Sequence, residues 1–200
     1  YRFVKRAFDI AFSLCVVVAG LAPIALLLLI IRLESPGSPI YRQERIGYRG
    51  QPLRIFKLRT MVADSDDVEK HLSPEQLAQW RSERKVEDDP RVTRVGRFLR
   101  RTSLDELPQF LNVLAGSMSI VGPRPVVADE LPAYGTDVDA FLSMKPGITG
   151  WWQVQARNDA TYEDGSRQQL ELYYVRNANL KLDVVVFLET FKSIINKTGV

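Results

Sequence analysis

The sequence predicts an α+β fold, mostly helical, with an apolar N-terminal membrane helix over residues 1–34 and a compact polar domain over residues 35–200. Three observations predict it. Ile10 to Ile31 carries no charged residue, the composition changes abruptly at Ser35, and two short runs of period two are followed by segments of helical period. The expected elements are a long helix broken near Pro23, a small β-hairpin, and a helical domain with amphipathic helices suited to an interface.

The apolar run comes first. A helix over residues 10–31 would be roughly 33 Å long, enough to cross a hydrocarbon core. Pro23 lacks an N–H and its ring clashes with the carbonyl of Ala19, so a kink or break is expected there, loosened further by Gly20. Arg2, Lys5 and Arg6 precede the run and Arg32 follows it. Basic flanks favour the cytoplasmic side, and here both flanks are basic. A helix that enters, bends at Pro23 and returns competes with one that crosses.

Ser35-Pro36-Gly37-Ser38-Pro39 reads as a linker turn. Ile40–Arg45 and Leu53–Arg59 read as two strands joined through Gly47 and Gly50-Gln51-Pro52. On the second strand Leu53, Ile55, Lys57 and Arg59 share one face, so Lys57 and Arg59 form either a phosphate clamp or ordinary surface charge. Ser73-Pro74-Glu75-Gln76 opens a polar helix reaching about Lys85, with a capping box between Ser73 and Gln76.

Composition narrows the function classes. Net charge is +3, a modest excess that suits phosphates or anionic lipid and does not argue for nucleic acid. Cys15 is the only cysteine, which rules out an internal disulfide, and no Cys/His cluster has zinc spacing. The only histidine, His71, lies in a polar stretch.

The chemistry-bearing residues gather in the middle of the chain. Basic residues recur at Arg91, Arg94, Arg97 and Arg100, opposite Val92, Val95 and Leu99. Arg100 and Arg101 lie next to the most informative stretch, Thr102-Ser103-Leu104-Asp105-Glu106-Leu107-Pro108-Gln109. Ser103 and Glu106 have capping-box spacing, so Asp105 and Glu106 could simply complement a helix dipole. Pro108 argues for a later or distorted helix start, which frees Asp105. A carboxylate at a helix N-terminus is expected to have a depressed pKa and stay charged. Such a group can attack phosphorus, and its neighbour can share a hard divalent ion. Downstream, Gly122-Pro123-Arg124-Pro125 stiffens the chain around one arginine, either as an exposed turn or as a preorganised phosphate clamp. The C-terminal segment, with Val184 to Val186, Phe187, Leu188, Phe191, Ile194 and Ile195, reads as a helix that packs on the core or lies in a membrane interface.

Five of these segments occur in a recognisable order: Lys5-Arg6-Ala7-Phe8-Asp9, Phe56-Lys57-Leu58-Arg59-Thr60-Met61, Ser103 to Gln109, Gly122-Pro123-Arg124-Pro125 and Lys145-Pro146-Gly147-Ile148-Thr149-Gly150. Together they resemble the bacterial sugar transferase family, the monotopic phosphoglycosyl transferases, over nearly the whole chain. The resemblance implies a re-entrant helix over residues 1–34 and a catalytic domain over 35–200 at the cytoplasmic face of the bacterial inner membrane. It implies transfer of hexose-1-phosphate from a UDP-sugar, galactose or glucose, to undecaprenyl phosphate. UMP would leave, and a covalent phosphosugar would form on the residue matching Asp105. Glu106 matches the second dyad member, Mg²⁺ is the implied cofactor, and Asp105 and Glu106 are its candidate ligands. Arg100 and Arg124 match phosphate-contacting arginines, Lys57 and Arg59 match the basic strand motif, and Arg157 is a further candidate substrate contact. The bilayer is an implied partner, a homodimer stays open, and no nucleic acid is expected. The chain looks closest to the C-terminal part of the large galactose or glucose phosphate transferases, which begin the membrane steps of polysaccharide or O-antigen assembly. Two alternatives compete: a nucleotide-sugar hydrolase using the same dyad, and a non-catalytic membrane-anchored sensor.

Overall fold

The structure, a computed structural model, describes residues 1–83, 86, 88–156 and 165–195. Helix α1 spans Arg2–Glu34. A hairpin follows, β1 (Ile40–Ile46) and β2 (Pro52–Leu58), antiparallel with Ile40 opposite Leu58 and Ile46 opposite Pro52. Then come α2 (Val68–His71), α3 (Pro74–Glu83) and α4 (Arg94–Thr102). A 3₁₀ turn over Leu104–Glu106 leads into α5 (Gln109–Leu114). Strand β3 (Ser119–Val121), α6 (Val138–Leu142) and β4 (Gly147–Thr149) follow, and β3 pairs with β4 in parallel. Helices α7 (Trp151–Gln155), α8 (Ser166–Asn177) and α9 (Leu180–Ile195) complete the described chain.

Each element follows from local chemistry. At α3 the expected capping box forms: Ser73 Oγ accepts from Gln76 N at 3.2 Å and Gln76 Oε1 accepts from Ser73 N at 3.2 Å. The second expected capping box does not form. Ser103 adopts a left-handed conformation (φ 55°) and ends α4, with its N–H bonded to the carbonyls of Leu99 and Arg100. It is therefore a C-cap, and the dyad sits on the 3₁₀ turn between two helices. Pro108, with no N–H to give, stands just ahead of α5, which starts at Gln109.

Among the described residues the core has three parts. The largest joins Leu53 and Ile55 of β2 to Val113, Met118, Ile120, Val121, Tyr174 and Val186. A second gathers Val126, Tyr134, Phe141 and Leu172. The third, Ile31, Leu58 and Leu99, ties the end of α1 to β2 and α4.

Helical structure carries through Pro23, so the expected break is a proline inside one helix and not the end of one. In an apolar environment each further lost backbone hydrogen bond costs several kcal/mol, so the ladder is kept on both sides of the proline. The two ends of α1 dock on the same domain. Near the N-terminus, Lys5 pairs with Asp183 at 3.0 Å and Arg6 donates to the carbonyls of Val113 and Leu114 at the end of α5. Asp9, buried, accepts from Ser119 Oγ at 2.8 Å and Ile120 N at 3.0 Å. Phe8 and Phe12 pack on Phe187 of α9, and Phe12 also on Phe110. At the far end, Glu34 accepts from Val95 N at 3.2 Å. Between them Leu14, Val18, Leu21 and Leu26 are exposed, and the most apolar window of the helix has mean hydropathy 3.0 with 6% of it buried.

Helix α9 packs one face on the core, as one of the two expectations has it, and leaves another apolar face exposed. Val186 and Phe187 face the core, while Val184, Leu188, Phe191 and Ile194 are exposed.

Candidate active site

The position of the dyad is set by α5. Asn112, buried, donates through Nδ2 to the carbonyl of Arg54 at 2.7 Å and accepts from Phe56 N at 3.1 Å. This pins α5 along β2 and brings Lys57 to the dyad turn, where its ammonium pairs with Glu106 Oε1 at 2.9 Å. On the other side stands Arg100, in the last turn of α4. Its Nε donates to Thr60 Oγ1 at 3.0 Å. The start of α4 is tied to the same residue, since Thr93 N donates to the Thr60 carbonyl at 3.1 Å. A buried ion pair, Asp89–Arg91 at 2.7 Å, braces the segment leading into α4.

Asp105 therefore lies in the field of one carboxylate and two cations. Burial, then the neighbouring Glu106 charge, push its pKa up to about 6, while Lys57 and Arg100 pull it down. The depression expected from a helix N-terminus is not found. The residue sits on a 3₁₀ turn ahead of Pro108, not in the first turn of α5, and desolvation outweighs the dipole. Burial also lowers the Arg100 pKa, opposed by Asp105 and Asp89.

The structure thus gathers Asp105, Glu106, Lys57 and Arg100. Arg59 goes elsewhere. Strand β2 ends at Leu58, and the Arg59 guanidinium donates to the carbonyls of Ser35 (2.5 Å) and Pro36 (2.8 Å), just past the end of α1. It does not share a phosphate-facing surface with Lys57. The carbonyls around a helix C-terminus need donors, and a forked guanidinium supplies several at once.

Arg124 stands on the Gly122–Pro125 loop, which β4 holds from one side: Gly122 N donates to the Thr149 carbonyl and Gly147 N to the Pro123 carbonyl, both at 2.9 Å. Its guanidinium lies 5.5 Å from the Trp152 ring centroid. Arg157 lies outside the described residues. Pro23 is exposed within the apolar stretch of α1 and takes no part in the site.

Sequence reasoning missed Glu171 and Arg167, which stand with Trp152 around Arg124. The available signal was spacing: Arg167, Glu171 and Tyr174 fall on one side of α8, and all three are buried.

Among the described residues no group of three or more His, Cys, Asp or Glu side chains gathers to hold a metal. Two adjacent carboxylates, Asp105 and Glu106, do suit Mg²⁺, which keeps most of its waters and is commonly held by one or two carboxylates plus substrate phosphates.

The model of the bacterial sugar transferase family matches residues 1–197. The chain belongs to the bacterial sugar transferase family. This family member is 43% identical to the undecaprenyl-phosphate galactose phosphotransferase of Salmonella typhimurium, across 99% of the chain and 42% of that protein. It is 38% identical to the UDP-glucose:undecaprenyl-phosphate glucose-1-phosphate transferase of Escherichia coli, again across 99% of the chain and 42% of that protein. Against the exopolysaccharide production protein ExoY of Sinorhizobium fredii it is 41% identical, across 98% of the chain and 87% of that protein. The chain thus spans less than half the length of the first two relatives and most of the third.

Proposed function

We propose that this chain carries the catalytic machinery for moving a hexose-1-phosphate, galactose or glucose, from a UDP-sugar to undecaprenyl phosphate, as the first membrane step of polysaccharide or O-antigen assembly. The observation that carries the reading is the setting of Asp105: a partly buried carboxylate placed among Glu106, Lys57 and Arg100. The names of its relatives supply the substrate class.

In the first step an Asp105 carboxylate oxygen attacks the phosphorus that bears the sugar. The bond from that phosphorus to the bridging oxygen breaks, and UMP leaves with that oxygen. The sugar phosphate stays on Asp105 as an acyl phosphate. In the second step a phosphate oxygen of undecaprenyl phosphate attacks the same phosphorus. The acyl–phosphorus bond breaks, Asp105 is regenerated, and the product is a lipid diphosphosugar. Lys57 holds Glu106 in place and adds positive charge where the diphosphate must approach an anionic nucleophile. Arg100 and Arg124 supply forked donors for phosphate oxygens. Mg²⁺, held by the dyad, would neutralise charge on the diphosphate.

The membrane reading is part of the proposal. Both ends of α1 are held by one domain, and the apolar middle is uncovered. A helix that enters the cytoplasmic leaflet of the inner membrane and returns satisfies both facts, and it brings the site to the depth of a lipid phosphate.

The test is UMP release from UDP-galactose and UDP-glucose by the purified protein, with and without undecaprenyl phosphate. Wild type gives sustained UMP release only with the lipid, and Asp105→Asn gives none. Turnover in Asp105→Asn would overturn the mechanism. Sustained release without lipid would make the protein a hydrolase.

A further inference from the structure

In the run Gly122-Pro123-Arg124-Pro125 the two prolines have no N–H. The Gly122 N–H is taken by Thr149 of β4. Arg124 N–H is then the one main-chain donor left between Gly122 and Val126. It points at Glu171 of α8 and lies 3.2 Å from each of its carboxylate oxygens. Glu171 is 0% exposed. The proposed chemistry does not use it.

A neutral carbonyl would satisfy one N–H just as well. A carboxylate there carries a desolvation cost that only compensating charge offsets. Two guanidiniums supply that charge. Arg167, one helical turn before Glu171 on α8, lies over the Trp152 ring at 4.2 Å, and Arg124 lies near the same ring at 5.5 Å. Burial pushes the Glu171 pKa up to about 7, and the Arg124 N–H, Arg167 and Arg124 hold it from rising further. Trp152 is itself buried, so its ring serves as a fixed wall and not as an open platform for a base or sugar.

We infer that Glu171 is a positioning residue for the sugar-phosphate transfer: its carboxylate grips the Arg124 main chain and counterbalances Arg124 and Arg167, so that the Arg124 guanidinium is aimed before the nucleotide-sugar diphosphate arrives. The carboxylate makes no contact with substrate. It lets two like charges stand against one indole while the site is empty, and it removes an entropic cost that a free arginine would carry on binding. The inference rests on the reading of Arg124 as a phosphate-binding group.

The experiment is a double-mutant cycle on the full protein, with initial rates of UMP release measured against UDP-galactose concentration at saturating undecaprenyl phosphate. Glu171→Gln keeps the shape and loses the charge and one of the two acceptor oxygens. It raises KM for the nucleotide sugar about tenfold and changes kcat less than about twofold, the scale of one charge-assisted hydrogen bond. Arg124→Ala raises KM by at least as much. Once Arg124 is gone, Glu171→Gln adds nothing further to KM. Should Glu171→Gln not fold, Glu171→Asp keeps the charge but withdraws it from Arg124 N, and the same KM rise and the same loss of effect in the Arg124→Ala background are expected. Equal multiplicative effects of the Glu171 variant with and without Arg124 would overturn the positioning role. So would an unchanged KM in the Glu171 variant beside a raised one in Arg124→Ala. An unchanged KM in Arg124→Ala would instead strike the phosphate-binding reading itself.

Discussion

Gly96 lies directly against the main chain of Thr60: a Cβ at Gly96 would meet the Thr60 carbonyl oxygen at 1.9 Å. The same Thr60 accepts from Arg100 through its hydroxyl at 3.0 Å. One glycine thus sets how closely α4 approaches the strand end, and with it where Arg100 stands relative to Asp105. Gly96→Ala is expected to lower stability by about 1–3 kcal/mol or more, because main chain cannot be trimmed to make room. It should also reduce UMP release by displacing Arg100. Chemical denaturation beside a rate measurement checks both.

Asp105→Asn should abolish transfer and stabilise the fold. The folded pKa is raised to about 6 from 3.8, so the folded protein binds this proton more tightly than the unfolded chain does. The stability this proton contributes is fully present below the unfolded value and is lost as pH rises through about 6. At pH 7.5 the ionised side chain is therefore a cost, and a neutral amide removes roughly 1–3 kcal/mol of it. Denaturation curves at pH 7.5 and pH 4 test this, with the gain over wild type largest at the higher pH.

The reaction needs the Asp105 carboxylate ionised, so kcat/KM should fall about tenfold for each pH unit below the pKa, which lies at about 6. The neighbours tune this limb in opposite directions. Lys57 lowers the Asp105 pKa, so Lys57→Met moves the limb to higher pH. Glu106 raises it, so Glu106→Gln moves the limb to lower pH, whatever each change does to the plateau. Shifts of the same sign in both variants would contradict this electrostatic arrangement.

The docking of both ends of α1 on one domain makes a topological prediction. In a Cys15→Ala background, single cysteines at Phe3 and at Leu33, which are 85% and 78% exposed, should both react with a membrane-impermeant maleimide from the same side of sealed vesicles. A cysteine at Leu21 should be protected from it. Labelling of Phe3→Cys and Leu33→Cys from opposite sides would mean that the helix crosses.

What could be read in the sequence was what depends on neighbours along the chain. The hairpin, the α3 capping box and the apolar run follow from period, turn residues and local hydrogen bonds, and the structure keeps all three. The nearness of Lys57 to the dyad followed only from the family resemblance, because it depends on Asn112 bridging α5 to β2 across 56 residues or more. Ser103 and Glu106 had the right spacing for a cap and form none, since α4 ends on Ser103 and Lys57 claims Glu106. Arg59 looked equivalent to Lys57 by strand period, but the strand stops one residue short of it. The spacing of Arg167, Glu171 and Tyr174 marks one side of α8, but the pairing of Glu171 with Arg124 left no local trace, because the two lie 47 residues apart.

Two of the recognisable sequence segments meet backbone to backbone. A Cβ on Gly122 would come within 2.5 Å of the Lys145 carbonyl oxygen, and one on Gly147 within 2.2 Å of the Gly122 amide nitrogen. Where side chains collide, a second substitution can make one of them smaller and restore the fit. Here neither partner has anything to give up. A genetic search for suppressors of an alanine at either position should return true revertants alone, which makes this crossing a fixed point around which the rest of the domain is free to drift.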